Sequence, residues 1–310
     1  MISSARIDTW RTHLRLLART DHDRSAEVRD VLVAEKDRLN DAANRFTPDS
    51  ELSAVNRGAG RWVDVSWYFV EVLTAAIHAA ESTDGLVSPI LGRQVDAAGY
   101  RSWRTGAVPV VRSTPRPTMD LWRRIEIEPA GSGARVRIPP GAALDLGAIG
   151  KAWLADRLAT RLSRAWDCDV LADMGGDIRV VGREPWVVAV DPGLPGIPLQ
   201  KLLLADGGMA TSGTGRRRWQ TSDGAEAHHI IDPRTGCPAA TCWHTASVWA
   251  VDAQVANTAS TAAIVAGREA PEHLKALDCR LVRPDGTDLR LGRWPKGETT
   301  TTTTTTGRAA

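Results

Sequence analysis

The chain has 310 residues, 43% hydrophobic and 25% charged, with 39 Lys and Arg against 37 Asp and Glu. That length suffices for one large core or two smaller ones, and the composition excludes wholesale disorder. Arg is interleaved with acids along the whole sequence, which argues against a nucleic-acid binder with its strongly basic face.

The opening MISSARIDTWRTHLRLLART has no apolar run of signal-peptide length, and no stretch reaches the roughly 20 apolar residues of a membrane span. The expectation is a cytoplasmic protein without a membrane span; an exported chain shorn of its signal would read alike. Thr9 to Ala18 alternates apolar and polar residues as a strand does. Ser25 to Asn44 carries Val28, Leu32, Leu39 and Ala42 at near-helical spacing, with Ser25 as N-cap. A second helix is predicted from Ser66 to Ser82 on the stripe Val70, Leu73, Ile77 and Ala80, ending at Thr83, Asp84 and Gly85. From Thr105 to Thr118, Pro109, Pro115 and Pro117 interrupt any period, so this segment reads as a surface loop joining halves at about 1–104 and 119–298.

Arg124 to Glu128 and Arg135 to Ile138 read as short strands. Ala148 to Ser163 reads as a helix with Leu154, Leu158 and Leu162 on one face and Arg157, Arg161 and Arg164 on the other. Strands are predicted at Asp169 to Ala172, Ile178 to Val181, Trp186 to Val190 and Leu199 to Leu204, each bounded by turn residues. Strands in succession with few helices between them predict an α+β fold of mixed, largely antiparallel sheets with flanking helices. Residues 1–298 are expected to form one unit, and 299–310, a Thr tract followed by GRAA, a disordered tail. Cys168, Cys237, Cys242 and Cys279 lack the pairing of zinc ligands and the density of a disulfide scaffold, and read as reduced thiols.

Three segments place Gly, Asp, Ser and Thr where a plain scaffold would place bulkier residues. In LDLGAIGKAWLAD, Leu144 to Asp156, the acid Asp145 ends a strand, glycines loosen the turn and Lys151 enters the first helical turn. Free N–H groups and the helix dipole there favour an anion, although Asp145 could equally be a helix cap. In ADMGGDIRVVG, Gly175, Gly176 and Asp177 fit a tight hairpin turn and also a backbone pressed against a flat ligand. In GGMATSGTGRRRW, Thr211 and Ser212 offer hydroxyls, Gly213 and Gly215 free the backbone, and Arg216 to Arg218 supply positive charge for a phosphate. His228 and His229 follow in HHIIDPRTG, and adjacent strand residues face opposite ways, so at most one serves a site.

Taken together, RFTPDSELSAVN, TDGLVSPILG, LDLGAIGKAWLAD, ADMGGDI, MATSG, HHIIDPRTG and ANTASTAAIVAG, in that order, resemble the FAD:protein FMN transferases, the ApbE family, over nearly the whole chain. The resemblance implies a T-fold-related architecture of two intertwined halves around a flavin site. FAD is implied as substrate, Mg2+ as cofactor and an FMN-accepting flavoprotein as partner. It further implies that Asp145 and Lys151 contact FAD, and that Phe46, Ala98, Gly99 and Tyr100 lie beside the flavin. Ile231 is implied as a nucleotide contact, and the Ala148 carbonyl, Asn257 and Thr261 as metal ligands. Two positions depart from the family pattern, which commonly has Asp where this chain has Asn257 and Ser88.

The activity implied is transfer of FMN from FAD to a Thr or Ser hydroxyl with release of AMP. Hydrolysis of FAD to FMN and AMP, and flavin binding without catalysis, are the alternatives. Lys151 would add positive potential at the pyrophosphate, and Asp145, Asp177 and His229 are the candidate bases.

Overall fold

A computed structural model describes residues 1–107, 118–222, 224–296 and 299–300; of Ser102, Trp103 and 299–300 it describes the backbone alone. The strand predicted at Thr9 to Ala18 is β2 (Thr12–Arg19), and it forms a hairpin with a preceding strand that was not predicted, β1 (Ile2–Thr9). Trp10 and Arg11 form its turn at φ 50° and 60°. Two residues of positive φ match the right-handed twist of the flanking strands, but neither is the Gly or Asn that signals such a turn in a sequence. Helix α1 (Ser25–Ala43) begins at Ser25 instead of being capped by it. Ser25 Oγ accepts from the Ser4 N–H, so the hydroxyl ties the helix to β1.

The short helix α2 (Glu51–Arg57) and strand β3 (Val63–Val65) lead to α3 (Trp67–Ser82). Ser66 Oγ caps α3 through the Phe69 N–H at 3.2 Å. Asp84 and Gly85, at φ 46° and 84°, follow its last turn as expected. Two one-and-a-half-turn helices, α4 (Gly92–Ala97) and α5 (Tyr100–Thr105), complete the first half. Most of the proline-rich loop, 108–117, lies outside the described residues. Beyond it β4 (Glu126–Ala130) and β5 (Gly133–Arg137) form a three-stranded antiparallel sheet with β3, in the order β3-β5-β4.

Helix α6 (Gly150–Trp166) is followed by β6 (Val170–Met174), β7 (Ile178–Val181), β8 (Trp186–Val190) and β9 (Gln200–Leu204), each within about two residues of its predicted bounds. The segment in which Thr211 and Ser212 were read as available hydroxyls and Gly213 as free backbone is β10 (Gly207–Gly213), a central strand. After the β11 (Arg218–Gln220) and β12 (Glu226–His228) hairpin come β13 (Thr245–Ala250), α7 (Ala253–Ala266), α8 (Ala270–His273), β14 (Asp278–Val282) and β15 (Asp288–Leu291). Eight strands form one antiparallel sheet in the order β1-β2-β6-β7-β10-β13-β14-β15. A final short strand, β16 (Thr299–Thr300), pairs in parallel with Lys201 and Leu202 of β9, so the start of the Thr tract is extended chain against a sheet edge. Residues 301–310 lie outside the description.

Helices α1, α3, α6 and α7 cover one face of the large sheet around Leu14, Leu16, Leu32, Leu154, Leu158 and Ile264. Strands β8 and β9 cover the other with Trp186, Val188, Leu202 and Leu204 against Val180 and Met209. β6 is therefore buried at every position, on both faces. The arginine face of α6 is not simply solvated: Arg157 and Arg161 reach the buried Glu35 of α1 at 3.0 and 2.6 Å. A buried carboxylate needs such pairing. Among the described residues no helix is long and apolar enough to cross a membrane, and the four cysteines are free.

Helix α7 is aimed by its N-terminus. Asp252 Oδ1 caps it through the Val255 N–H at 2.7 Å. Asp156, projecting from α6, accepts from the Ala253 and Gln254 N–H groups and from Gln254 Nε2 at 2.9, 3.0 and 3.0 Å. One carboxylate thus closes three donors at the positive end of a helix and locks α7 against α6. Asp156→Ala is expected to lower unfolding free energy by about 2 kcal/mol in urea titrations, because it strands three donors; a loss within error of zero would show that α7 is positioned without it.

Candidate functional site

Two clusters, one polar and one aromatic, lie to either side of the contact between Arg45 and Asp145. The polar cluster is centred on Asp177. Gly175 and Gly176, at φ 70° and 95°, make the two-residue hairpin turn that follows β6. A Cβ on Gly175 would lie 2.5 Å from Thr12 Oγ1, whereas one on Gly176 would meet nothing within 4 Å. This turn delivers Asp177, 4% exposed, into the fold. One of its carboxylate oxygens takes Lys151 Nζ from the first turn of α6. The other accepts from Asn257 Nδ2 of α7 at 2.7 Å.

Asn257 is itself buried, and with Nδ2 committed its Oδ1 is left without a partner among the described residues. Thr261 lies one turn further along the same face of α7. Its Oγ1 is 3.0 Å from Ser212 Oγ, which also reaches Ser260 Oγ at 2.9 Å. Thr211 does not join them, because alternate residues of a strand face opposite ways. Its hydroxyl pairs with Ser247 across the sheet at 2.8 Å. Nor is Gly213 open for a ligand: a Cβ there would lie 2.7 Å from the His244 carbonyl, so strand packing demands the glycine.

Asp145 is not a helix cap. Its Oδ1 accepts from the Gly147 N–H at 2.7 Å, within the turn that precedes the helix, and the N-cap position of α6, Ile149, offers no side-chain cap. Uncapped first-turn N–H groups beside Lys151 keep the anion-binding reading and discard the capping one. Among the described residues, backbone donors serve the carbonyls of Leu146 and Ile149 and leave that of Ala148 without one.

The second cluster is aromatic. Phe46 packs edge-on against Tyr100 with centroids 5.9 Å apart. Tyr100 in turn lies 5.6 Å from Trp219 and 6.4 Å, stacked, from His229. Trp219 Nε1 donates to the Ala98 carbonyl at 2.8 Å, and Gly99, at φ 89°, turns the chain between Ala98 and Tyr100. Ile231 packs with Ala98 and Trp219 in the same small apolar cluster. The two histidines have different surroundings, His228 closing β12 and His229 lying in the bend just after it. His228 spends both ring nitrogens on backbone, Nε2 on the Ala239 carbonyl and Nδ1 on the Ile230 N–H. His229 is half-buried against Tyr100, and its enclosed Nδ1 has no partner among the described residues. Burial, then the neighbouring charge of Arg217, holds its pKa well below the ordinary histidine value.

Arg45 joins the clusters and was not singled out from the sequence. Its guanidinium is 2.7 Å from Asp145 on one side and 4.5 Å from the Phe46 ring centroid on the other. Trp219 and Arg104 were likewise missed. Arg104 stacks 3.7 Å over Phe46, and burial beside Arg45 and Arg217 lowers its pKa. The only signals available were the adjacency of Arg45 to Phe46 and the single bulky ring after the basic triplet.

A model of the ApbE family matches residues 8–281. The chain belongs to the ApbE family. An FAD:protein FMN transferase of Treponema pallidum is 32% identical over 254 residues, covering 74% of this chain and 67% of that protein. One of Salmonella typhimurium is 26% identical over 229 residues, covering 70% and 65%. The matches thus span about two thirds of these relatives' lengths. The ApbE fold is evident in a Thermotoga maritima ApbE crystal structure, with TM-score 0.78, 24% identity and 94% and 97% coverage. The apo form of Pseudomonas stutzeri flavinyl transferase ApbE gives TM-score 0.76 at 18% identity, covering 94% and 95%.

Within this ApbE chain no group of three or more His, Cys, Asp or Glu gathers as a metal site among the described residues. The Asn257 Oδ1 and Ala148 carbonyl, both without partners, and the Thr261 hydroxyl are oxygen donors of the kind a hard divalent cation takes, so these residues fit Mg2+.

The state of His229 carries a measurable signature. The unfolded chain takes up a proton on this residue near pH 6.5 while the folded chain does not, so folded stability falls as pH drops below about 6.5. His229→Gln is expected to lose less stability than the parent between pH 7.5 and pH 5.5, read by chemical denaturation at both values. Parallel losses would mean that His229 protonates freely in the fold.

Proposed function

We propose that this ApbE protein transfers the FMN portion of FAD to a Thr or Ser hydroxyl of an acceptor flavoprotein and releases AMP. The observation that carries the reading is the junction of the two clusters. An aromatic wall of Phe46, Tyr100 and Ala98 suits a flavin. It adjoins an uncapped helix N-terminus with Lys151, where a pyrophosphate would be held. The names of the relatives support the same chemistry.

In the reaction the acceptor oxygen bonds to the phosphorus nearer the flavin, and the bond from that phosphorus to the bridging oxygen breaks, so AMP departs with the electron pair. Lys151 and the first-turn N–H groups of α6 hold the pyrophosphate and offset its charge. The acceptor proton needs a base. Asp145 is engaged by Arg45 and Gly147, and Asp177 by Lys151 and Asn257. His229, neutral and with Nδ1 unpartnered, is the base this geometry favours. Mg2+, held by the Ala148 carbonyl, Asn257 and Thr261, would neutralise the pyrophosphate and stabilise the departing oxygen.

Incubation with FAD, Mg2+ and a candidate acceptor is expected to add one flavin phosphate to the acceptor, seen by mass spectrometry, with one AMP per acceptor modified. Free FMN with an unmodified acceptor would establish hydrolysis instead. Thr261→Val, nearly isosteric, is expected to slow transfer at least about tenfold while its melting temperature stays close to that of the parent. Full turnover in that variant at millimolar Mg2+ would remove Thr261 from the metal site.

Asn257 explains its own departure from the family pattern. Its amide donates to Asp177, so an Asp in its place would set two carboxylates face to face. With neutral oxygens alone the free protein offers a cation little charge, and the pyrophosphate would supply the rest. Calorimetric titration of Mg2+ is expected to show weak binding to the free protein and tighter binding with a methylene-bridged FAD analogue, each raising the other's affinity by one factor. Asn257→Asp is expected to bind Mg2+ more tightly without nucleotide. Equal parental affinity in both conditions would refute the shared site.

A further inference from the structure

Among the described residues, four buried side-chain nitrogens and oxygens without partners belong to Arg45, His229 and Asn257, all in the candidate site. Asn257 and His229 have roles in the proposed reaction. Arg45 does not, and it is the costliest of the three to leave open. Its residue is 9% exposed, Nη2 has no partner, and Nε, although 2.7 Å from Asp145 Oδ2, makes no aligned hydrogen bond. Nη1 alone is satisfied, by Asp96 Oδ1 at 3.0 Å and more distantly by the Gly92 carbonyl at 3.5 Å. Buried donors are nearly always paired, and an unpaired one carries a desolvation penalty. A guanidinium fixed by two carboxylates with one arm free is therefore built to receive an acceptor from outside the chain.

What acceptor follows from the surroundings. The guanidinium carbon lies 4.5 Å from the Phe46 ring centroid and 5.9 Å from that of Tyr100, so the guanidinium is seated against the aromatic cluster. Both carboxylates in contact with Arg45, Asp145 and Asp96, would repel a phosphate placed at Nη2. A neutral oxygen or nitrogen in the plane of a ring meets no such repulsion, and the flat fork of Arg suits it. Resting on the reading of the cleft as an FAD site, we propose that Arg45 is a specificity-determining residue that hydrogen-bonds the carbonyl-bearing pyrimidine edge of the flavin ring through Nη2, while its ion pair with Asp145 holds that carboxylate in register with the turn before α6.

The test alters the ligand as well as the protein. FAD, 2-thio-FAD and 4-thio-FAD are titrated in metal-free, acceptor-free buffer and binding is read from flavin fluorescence; sulfur is a poor hydrogen-bond acceptor. The parent protein is expected to bind FAD about tenfold more tightly than the analogue altered at the contacted carbonyl, the loss of one hydrogen bond to a charged donor. Arg45→Met is expected to bind FAD and both analogues equally. Arg45→Lys, which keeps the charge opposite Asp145, is expected to lose the discrimination too, and serves if Arg45→Met does not fold. ADP, which has phosphates but no flavin, is expected to compete equally against parent and variants. Parental affinities within twofold for all three flavins, discrimination that persists in the variants, or loss of ADP binding on substitution would each overturn the assignment while leaving FAD binding intact. A parent protein that binds no FAD would overturn this assignment and the proposed function together.

Discussion

Asp177 is charged, 4% exposed and placed at the tip of a two-glycine turn, and a carboxylate so buried must find cations or donors close by. It takes Lys151 from α6 and the Asn257 amide from α7. Three segments far apart in the sequence are thereby fixed to one another by a single side chain. Each brings something of its own: the turn brings open backbone, α6 an uncapped N-terminus, α7 a row of oxygen donors. Removing either partner would leave the carboxylate buried and underpaired, which costs more than the pair itself contributes. The same bonds orient groups left over for a ligand, since the Asn257 amide cannot donate to Asp177 without turning its oxygen elsewhere.

How far the sequence revealed this depends on how local each signal was. Helices α1, α3 and α6 repeat apolar residues at a helical period over four or more turns, and their extents came out nearly right. Strands β6 to β9 were equally legible because Gly, Pro or Asp brackets each one. Strand β2 was legible, but β1 and the turn between them were not, because Trp10 and Arg11 occupy a turn that Gly and Asn normally mark. Strand β10 was not predicted because its glycines and hydroxyls carry no apolar alternation. They are small because α7 and the β13 backbone press on the strand, as the Cβ contacts of Gly208 with Asp252 and of Gly213 with His244 show. Sequence reveals residue size, but not whether a ligand or a neighbouring strand claims the space.

Site residues divide in the same way. Lys151 and Asn257 meet at Asp177, Thr261 meets Ser212 one turn further along α7, and His229 lies against Tyr100, while Thr211 turns to the other face and Gly213 serves packing. Asp145 kept its place with a changed local role, as the acceptor of a turn in place of a cap. Arg45 was invisible because nothing in a one-dimensional pattern distinguishes a buried Arg from the many solvated ones in an arginine-rich chain. Only its enclosure between Asp96, Asp145 and Phe46 does so.

The pairing of β2 with β6 has a consequence for the order in which the molecule is made. Leu14 to Ala18 face Met174 to Val170 across the sheet, so the β1–β2 hairpin finds its inner neighbour only after the whole intervening chain, from Thr20 to Asp169, has been synthesised. Until then the inner edge of β2 presents open amides and carbonyls, together with the Leu14 and Leu16 side chains that the finished core encloses completely. Long-range pairing of this kind also slows folding, since a large loop must close before any contact rewards it. The nascent β1–β2 hairpin therefore spends that interval as an exposed, apolar strand edge, the state in which a holding chaperone has something to bind.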